Sequence, residues 1–178
     1  MISRLFWRSP NRGKIDELYG AIVAQARQPA FYRDYKVPDT VTGRLELILL
    51  HAFLFSRRTR DGAGGLKPLG QGVFDRFCDD MDANLREMGI GDLAVPKHMQ
   101  RIGEAFYGRA MAYDAVWASE GGELAEALMR NVFPGEQARS EQANRLAAYM
   151  KAADAHLAEL ADTELSQGRI SFPDPAGF

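Results

Sequence analysis

Charged side chains gather at two places where residue type and spacing could do chemistry. Asp79, Asp80 and Asp82 fall within four positions, and Lys97, Arg101 and Arg109 follow on the next segment. Clustered carboxylates can transfer protons or hold a divalent cation. Consecutive residues of a helix point in different directions, so these aspartates do not share one site, and a solvated face is the default reading. His51, His98 and His156 show no HxxxH or HExxH spacing, so no histidine metal site is expected. Residues 61–67 read DGAGGLK, but a phosphate loop needs Ser or Thr after its lysine and Pro68 stands there; a hinge is the better reading. Cys78 is the only cysteine, which excludes an internal disulfide and a cysteine zinc site and suits a reducing compartment. It shares an apolar stripe with Phe74, Phe77 and Met81, so it reads as a core thiol, not a nucleophile. No catalytic residue, metal or cofactor is expected.

The elements that position these residues are helical. Phe74, Phe77, Cys78, Met81, Leu85 and Met88 recur at three- and four-residue steps. Gly89 ends that helix, Asp92 is placed to cap the next, and Pro96 suits a first turn. Met99, Ile102, Phe106, Ala110, Tyr113 and Trp117 continue the period, so the two helices form a hairpin with acids on one arm and bases on the other. Upstream, Ile15, Leu18, Tyr19, Ile22, Val23 and Ala26 predict a helix ending before Pro29. Residues 29–38 read as an irregular aromatic connector, and Asp39 or Thr40 can cap a helix over 41–58. Its run LELILLHAFLF is eleven residues long, whereas a membrane span needs about twenty, and Glu46 and His51 interrupt it; it reads as a core helix. Gly62, Gly64 and Gly65 make a flexible break. A fifth helix over 123–133 stops at Pro134–Gly135, and a sixth starts at Ser140. No alternation predicts strands. The expectation is an all-α, single-domain bundle of about six helices around a buried central helix. A flexible basic and aromatic segment occupies 1–12, the helical domain 13–163 and an extended tail 164–178.

The 178 residues suffice for one domain, and 46% hydrophobic with 26% charged content is globular. A net charge of −2 argues against binding dominated by phosphate contacts, although Arg57, Arg58 and Arg60 form a local basic patch. The first residues, MISRLFWRSPNRGK, lack a signal-peptide core, which favours a cytoplasmic protein. Phe6 and Trp7 beside Arg4 and Arg8 suit contact with a membrane surface or packing at a terminus. Gly108 inside a helix costs up to about 1 kcal/mol relative to alanine, a cost that a close helix approach would offset. Arg109 either pairs with Asp92 or Glu87 at the corner or contacts a partner. Met81, Met88, Met99 and Met111 cluster in the hairpin, as core filler or as an adaptable groove for apolar helices.

One feature of the order is specific. DDMDANLREMG at 79–89 is followed by GDLAVPK and by FYGR, and preceded by AFYRDYKVPDT and LELILLHAFLFSRR. These motifs, within residues 13–135, resemble the ubiquinol–cytochrome c chaperone family, assembly factors of the respiratory bc1 complex. The resemblance implies a non-enzymatic assembly chaperone whose client is newly made cytochrome b, held in an apolar groove between the core helix and the hairpin. The expected partner-binding residues are Asp79, Asp80, Met81, Met88, Asp92, Pro96, Lys97, Met99, Phe106, Tyr107 and Arg109, with Asp79/Asp80 and Lys97/Arg101/Arg109 as opposite charged rims. Transient membrane-surface contact at the inner face of the inner membrane and a homo-oligomer stay open. Two rivals remain. A helical lipid or isoprenoid enzyme would use the aspartates for Mg²⁺, but only one Asp-rich motif is found where such enzymes usually need two. A peripheral membrane adaptor would be anchored by Phe6 and Trp7.

Overall fold

The computed structural model describes residues 11–60 and 66–178. Among them the chain forms α1 (Arg12–Ala26), α2 (Pro29–Arg33), α3 (Val41–Arg60), α4 (Leu66–Glu87), α5 (Val95–Ala115), α6 (Glu123–Val132), α7 (Ser140–Glu159) and α8 (Asp162–Leu165), with no strand. The all-α expectation therefore holds: six long helices are joined by the short α2 and α8. The terminal segment with Arg4, Phe6, Trp7 and Arg8, and the break at Gly62, Gly64 and Gly65, lie outside the described residues.

Six consecutive residues of α3, from Glu46 to His51, are buried. A turn takes 3.6 residues, so this stretch is enclosed on every side. Its surroundings are α1, α4, α5, α6 and α7. Leu47, Leu49, Leu50, Phe53 and Leu54 are all at most 2% exposed, and burying each such side chain stabilises by about 1.5–3 kcal/mol. A polar group in that setting needs a partner. Thr59 Oγ1 donates to the Phe55 carbonyl at 3.0 Å.

His51 is held on both ring nitrogens. Nδ1 lies 2.7 Å from the Leu47 carbonyl, which can only accept, so Nδ1 carries the proton. Nε2 then accepts from the Tyr149 hydroxyl at 2.8 Å. The Tyr149 oxygen in turn accepts from Gln25 Nε2 at 2.9 Å, which also donates to the Pro173 carbonyl. One neutral network thus ties α1, α3, α7 and the C-terminal tail. Burial pushes the His51 pKa down to about 4.

Glu46, 4% exposed, meets Arg109 of α5 in a two-pronged ion pair, with Nε on Oε2 at 2.5 Å and Nη2 on Oε1. Burial raises the Glu46 pKa, and Arg109 opposes that rise. This corrects the expected pairing of Arg109 with Asp92 or Glu87: Arg109 sits in mid-helix, far from the corner, on the side of α5 that faces α3.

The end of α3 carries a second correction. Arg57, Arg58 and Arg60 are not an open basic patch, because the fold uses them. Arg57 bonds Asp114 at 2.5 Å and Asp154 at 3.2 Å and stacks 4.3 Å from the Trp117 ring centre. Arg58 donates to the Leu157 and Leu160 carbonyls and to Asp162. Arg60 bonds Asp114 at 2.6 Å. Beside them α4 approaches α3 closely: a Cβ on Gly70 would lie 2.2 Å from Thr59 Oγ1.

At the corner, Gly89 has φ +84, the left-handed turn that ends α4. Asp92 does not cap α5. The Gly91 carbonyl accepts from the Ala94 and Val95 amides, so a backbone turn closes the corner. Asp92 instead accepts from Arg86, and Pro96 occupies the first turn as expected. Residues 29–38 are not wholly irregular, because buried Ala30 and Phe31 hold α2 against the core. Thr40 is the residue that caps α3, accepting from the Gly43 amide at 3.1 Å. The tail expected to be extended over 164–178 instead begins inside α8 and ends in a 3₁₀ turn at Pro175–Gly177, and it is pinned: Tyr35 donates to the Pro175 carbonyl at 2.6 Å, and Arg145 to that of Phe178.

Two outcomes follow from the buried polar groups. His51 is neutral in the folded chain and takes up a proton in the unfolded one at a pKa near 6.5. Its contribution is therefore fully present above pH 6.5 and is lost as pH falls towards 4. The loss is about 3 kcal/mol in total, read from urea unfolding as the pH-dependent difference between wild type and His51→Gln. Arg109→Met strands the Glu46 carboxyl and is expected to lose about 3–5 kcal/mol, while adding Glu46→Leu restores most of it. The double-mutant cycle checks the coupling.

Candidate functional site

Between α3, α4 and α5 lies a half-open pocket of about 410 Å³. Ala52 and Phe55 come from α3, Val73, Phe74 and Phe77 from α4, Phe106 and Tyr107 from α5, and Tyr19 reaches in from α1. The aromatic rings form one cluster. Phe74 lies 4.9 Å from Phe106, 5.7 Å from Tyr107 and 6.0 Å from Phe77, between ring centres. Offset and tilted contacts of this kind favour aromatic and aliphatic neighbours. Polar atoms come from Ser56, Thr59, Arg60, Lys67 and Gln71, of which Arg60, Lys67 and Gln71 are exposed and mark the solvent side.

The hairpin also concentrates exposed apolar surface. Among the described residues the large hydrophobics exposed to solvent are Val41, Met88, Leu93, Tyr107 and Met111. All but Val41 belong to the hairpin, and Leu93 at the corner is fully exposed. Met88 and Leu93 stand at the corner and Tyr107 and Met111 further along α5, so the hairpin carries exposed apolar side chains at two places.

The structure divides the residues expected to bind a partner. Phe106 and Tyr107 line the pocket. Pro96, Lys97 and Tyr107 are exposed along α5, and Met88 and Asp92 are exposed at the corner. Met81 and Met99 are partly buried, and Met81 packs against the core. Arg109 is turned inward to Glu46. Gly108 is not a helix-contact point within the chain: nothing lies within 4 Å of where its Cβ would be.

The two opposed charged rims are not observed. Asp79 and Asp80 line a separate polar groove between α1 and α4, with Arg12, Asp16, Arg27 and Arg76. Asp80 accepts from the Tyr19 hydroxyl at 2.8 Å and lies 3.7 Å from Arg76. Burial and this carboxylate drive the Tyr19 phenol well above its usual range. Asp82 is paired with Arg86 at 2.6 Å, which holds its carboxyl below the ordinary range. Lys97 and Arg101 stay exposed with no ion-pair partner among the described residues. Burial raises the Cys78 thiol, the opposite of what a nucleophile needs. Among the described residues no three His, Cys, Asp or Glu side chains gather to hold a metal, and no helix is long and apolar enough to cross a membrane.

Sequence reasoning did not pick out Tyr19, Ala52, Phe55, Lys67 and Gln71 as pocket residues. Tyr19 and Phe55 sit on apolar stripes, and a stripe does not tell which of its residues meets a cavity.

Residues 33–172 match the family model described as Ubiquinol-cytochrome C chaperone. The match extends past residue 135, where the motif resemblance stopped. The chain is 26% identical over 149 residues to Protein CBP3, mitochondrial, of Saccharomyces cerevisiae, covering 82% of this chain and 44% of that protein. It is 25% identical over 116 residues to ubiquinol-cytochrome-c reductase complex assembly factor 1 of Xenopus laevis, covering 65% of this chain and 58% of that protein. The chain thus spans about half the length of the curated relatives it matches. The crystal structure of the Cbp3 homolog from Brucella abortus aligns with a TM-score of 0.84 at 39% identity, covering 93% of this chain and 92% of that chain.

Proposed function

The chain belongs to the ubiquinol–cytochrome c chaperone family, and from that premise we propose that it is a holding chaperone for assembly of the ubiquinol–cytochrome c reductase complex, with newly made cytochrome b as client. The observation that carries this reading is the concentration of exposed apolar side chains on one hairpin, Met88, Leu93, Tyr107 and Met111, beside an aromatic pocket. A membrane subunit outside its complex presents apolar surface that water does not tolerate. The pocket lies in the size range of sites that take a few side chains, so an apolar anchor of the client sits against Phe74 and Phe106. Met88 and Met111 adapt to client segments of different shape. Lys97 and Arg101 speed and orient the encounter. The chaperone works at the inner face of the inner membrane and needs no nucleotide. The lipid-enzyme alternative needs Asp79 and Asp80 on one cation, whereas Asp80 accepts from the Tyr19 hydroxyl beside Arg76 and no three acidic, His or Cys side chains gather among the described residues.

Mass spectrometry of chains retained by the tagged protein from a membrane extract tests this reading. Cytochrome b is expected without the other subunits of the mature complex. Tyr107→Asp removes ring contacts with Phe74 and Phe106 at a half-exposed position and is expected to lower stability by about 1 kcal/mol, which leaves the chain folded. It should lower cytochrome b recovery by roughly tenfold, equivalent to about 1.4 kcal/mol. Retention of no bc1 subunit by folded protein would remove the proposal.

A further inference from the structure

The pocket between α3, α4 and α5 changes polarity along its length. At one end Ala52 of α3, Val73 and Phe77 of α4 and Phe106 of α5 supply apolar walls. At the other, where α3 finishes and α4 begins, Ser56, Arg60, Lys67 and Gln71 bring polar atoms. Ala52 and Arg60 are eight residues apart on α3, and Lys67 and Phe77 ten apart on α4, so the gradient runs over about 12–15 Å. Water gains little at the apolar end, because a buried water needs polar partners.

The polar end carries one sign of charge. The described residues that line the pocket include the cations Arg60 and Lys67 and no carboxylate. The carboxylates nearby are turned to other partners: Asp114 to Arg57 and Arg60, Asp75 to Gln71, and Asp80 to the Tyr19 hydroxyl. Among the described residues Lys67 has no ion-pair partner and the Ser56 hydroxyl no hydrogen bond. Phe55, Phe77 and Phe106 are at most 6% exposed and close the inner side. An occupant therefore enters from the solvent side and ends among rings. A polypeptide threaded there would bring amides that the apolar end cannot satisfy. A chain with one apolar end and one anionic end meets both ends of the pocket.

We infer that this pocket binds a single-chain amphiphile with an anionic head, of the fatty carboxylate class, its chain along Phe74 and Phe106 and its head at Lys67 and Ser56. A methylene takes about the room of a water, roughly 30 Å³, so the 410 Å³ pocket holds a chain of about a dozen carbons. The inference goes beyond the chaperone reading and does not rest on it. A client anchor against Phe74 and Phe106 and this ligand need the same space.

Titration calorimetry of the full chain with octanoate, decanoate and dodecanoate, each below micelle formation, is the test. Dodecanoate is expected to bind one per chain in the micromolar range, with affinity falling roughly tenfold for each pair of methylenes removed. Dodecyltrimethylammonium, with the same chain and a cationic head, is expected to bind at least tenfold more weakly. Lys67→Glu, a change on exposed surface, is expected to weaken dodecanoate about fivefold and to narrow that preference. Ala52→Phe places a ring in the apolar end and is expected to abolish dodecanoate binding in a chain that still unfolds cooperatively. Dodecanoyl lysophosphatidylglycerol distinguishes the source: tighter binding than dodecanoate assigns the chain of a membrane lipid, weaker binding a free fatty acid. The inference is overturned if dodecanoate does not bind below about 1 mM, if the three chain lengths bind alike, if the cationic amphiphile binds as tightly as the carboxylate, or if folded Lys67→Glu binds within twofold of wild type. Dodecanoate that passes these criteria but leaves cytochrome b recovery unchanged would keep the ligand site and take the client anchor out of the pocket.

Discussion

Everything in this fold depends on how α3 tolerates being out of water. Apolar burial gives most of the stabilisation but has no direction: it does not say which helix lies on which side. The two ionisable residues inside α3 supply that direction. Glu46 and His51 are five positions apart, so they leave the helix roughly 140° apart around its axis. Glu46 is satisfied by Arg109 of α5 and His51 by Tyr149 of α7. Each contact has one geometry that works, and a slip of either partner helix leaves a buried polar group unmet. At the C-terminal end, Arg57 and Arg58 repeat the pattern with α5, α7 and α8. The core helix is thus read by its neighbours through its few polar atoms.

The same physics decides what could be read from the chain alone. Helical period, the glycine stop at Gly89 and the enclosed run LELILLHAFLF are local patterns, and they placed the hairpin and the core helix correctly. The partner of Arg109 lies 63 residues away, and looking nearby led to Asp92 and Glu87. A signal was present: a carboxylate flanked by Leu45, Leu47 and Ile48 must find a cation if its helix is buried. The arginines after Phe55 follow the same logic, since the end of a buried helix still has neighbours. Asp92 as a cap failed because a backbone turn from Gly91 already occupied the amides. The pocket itself was not legible. Periodicity gives the apolar face of a helix but not how far the facing helix covers it.

The site is built on a helix with two opposite duties. One side of α5 is fixed by the buried ion pair to α3, by Tyr113 and by Phe106 in the core. The other side carries exposed Met111 and Gly108, with open space at the Gly108 Cβ, and Tyr107 at the rim of the pocket. A flexible arm with the same residues would lose the ordering entropy on every encounter. Here the backbone is held in advance, and only side chains adjust. Methionine supplies the adjustment, and tyrosine supplies area at small entropic loss.

The proposed holding role requires release as well as capture, and the geometry bears on how. The pocket is half-open and of modest volume, so its contacts favour an affinity set by a few anchors and a dissociation rate that competition can exploit. On the proposed holding role, an apolar segment is released when its own partners bury the same surface over a larger area, because mass action draws off whatever binds only the uncovered form. A deeper pocket or an aromatic wall on every side would oppose that exchange.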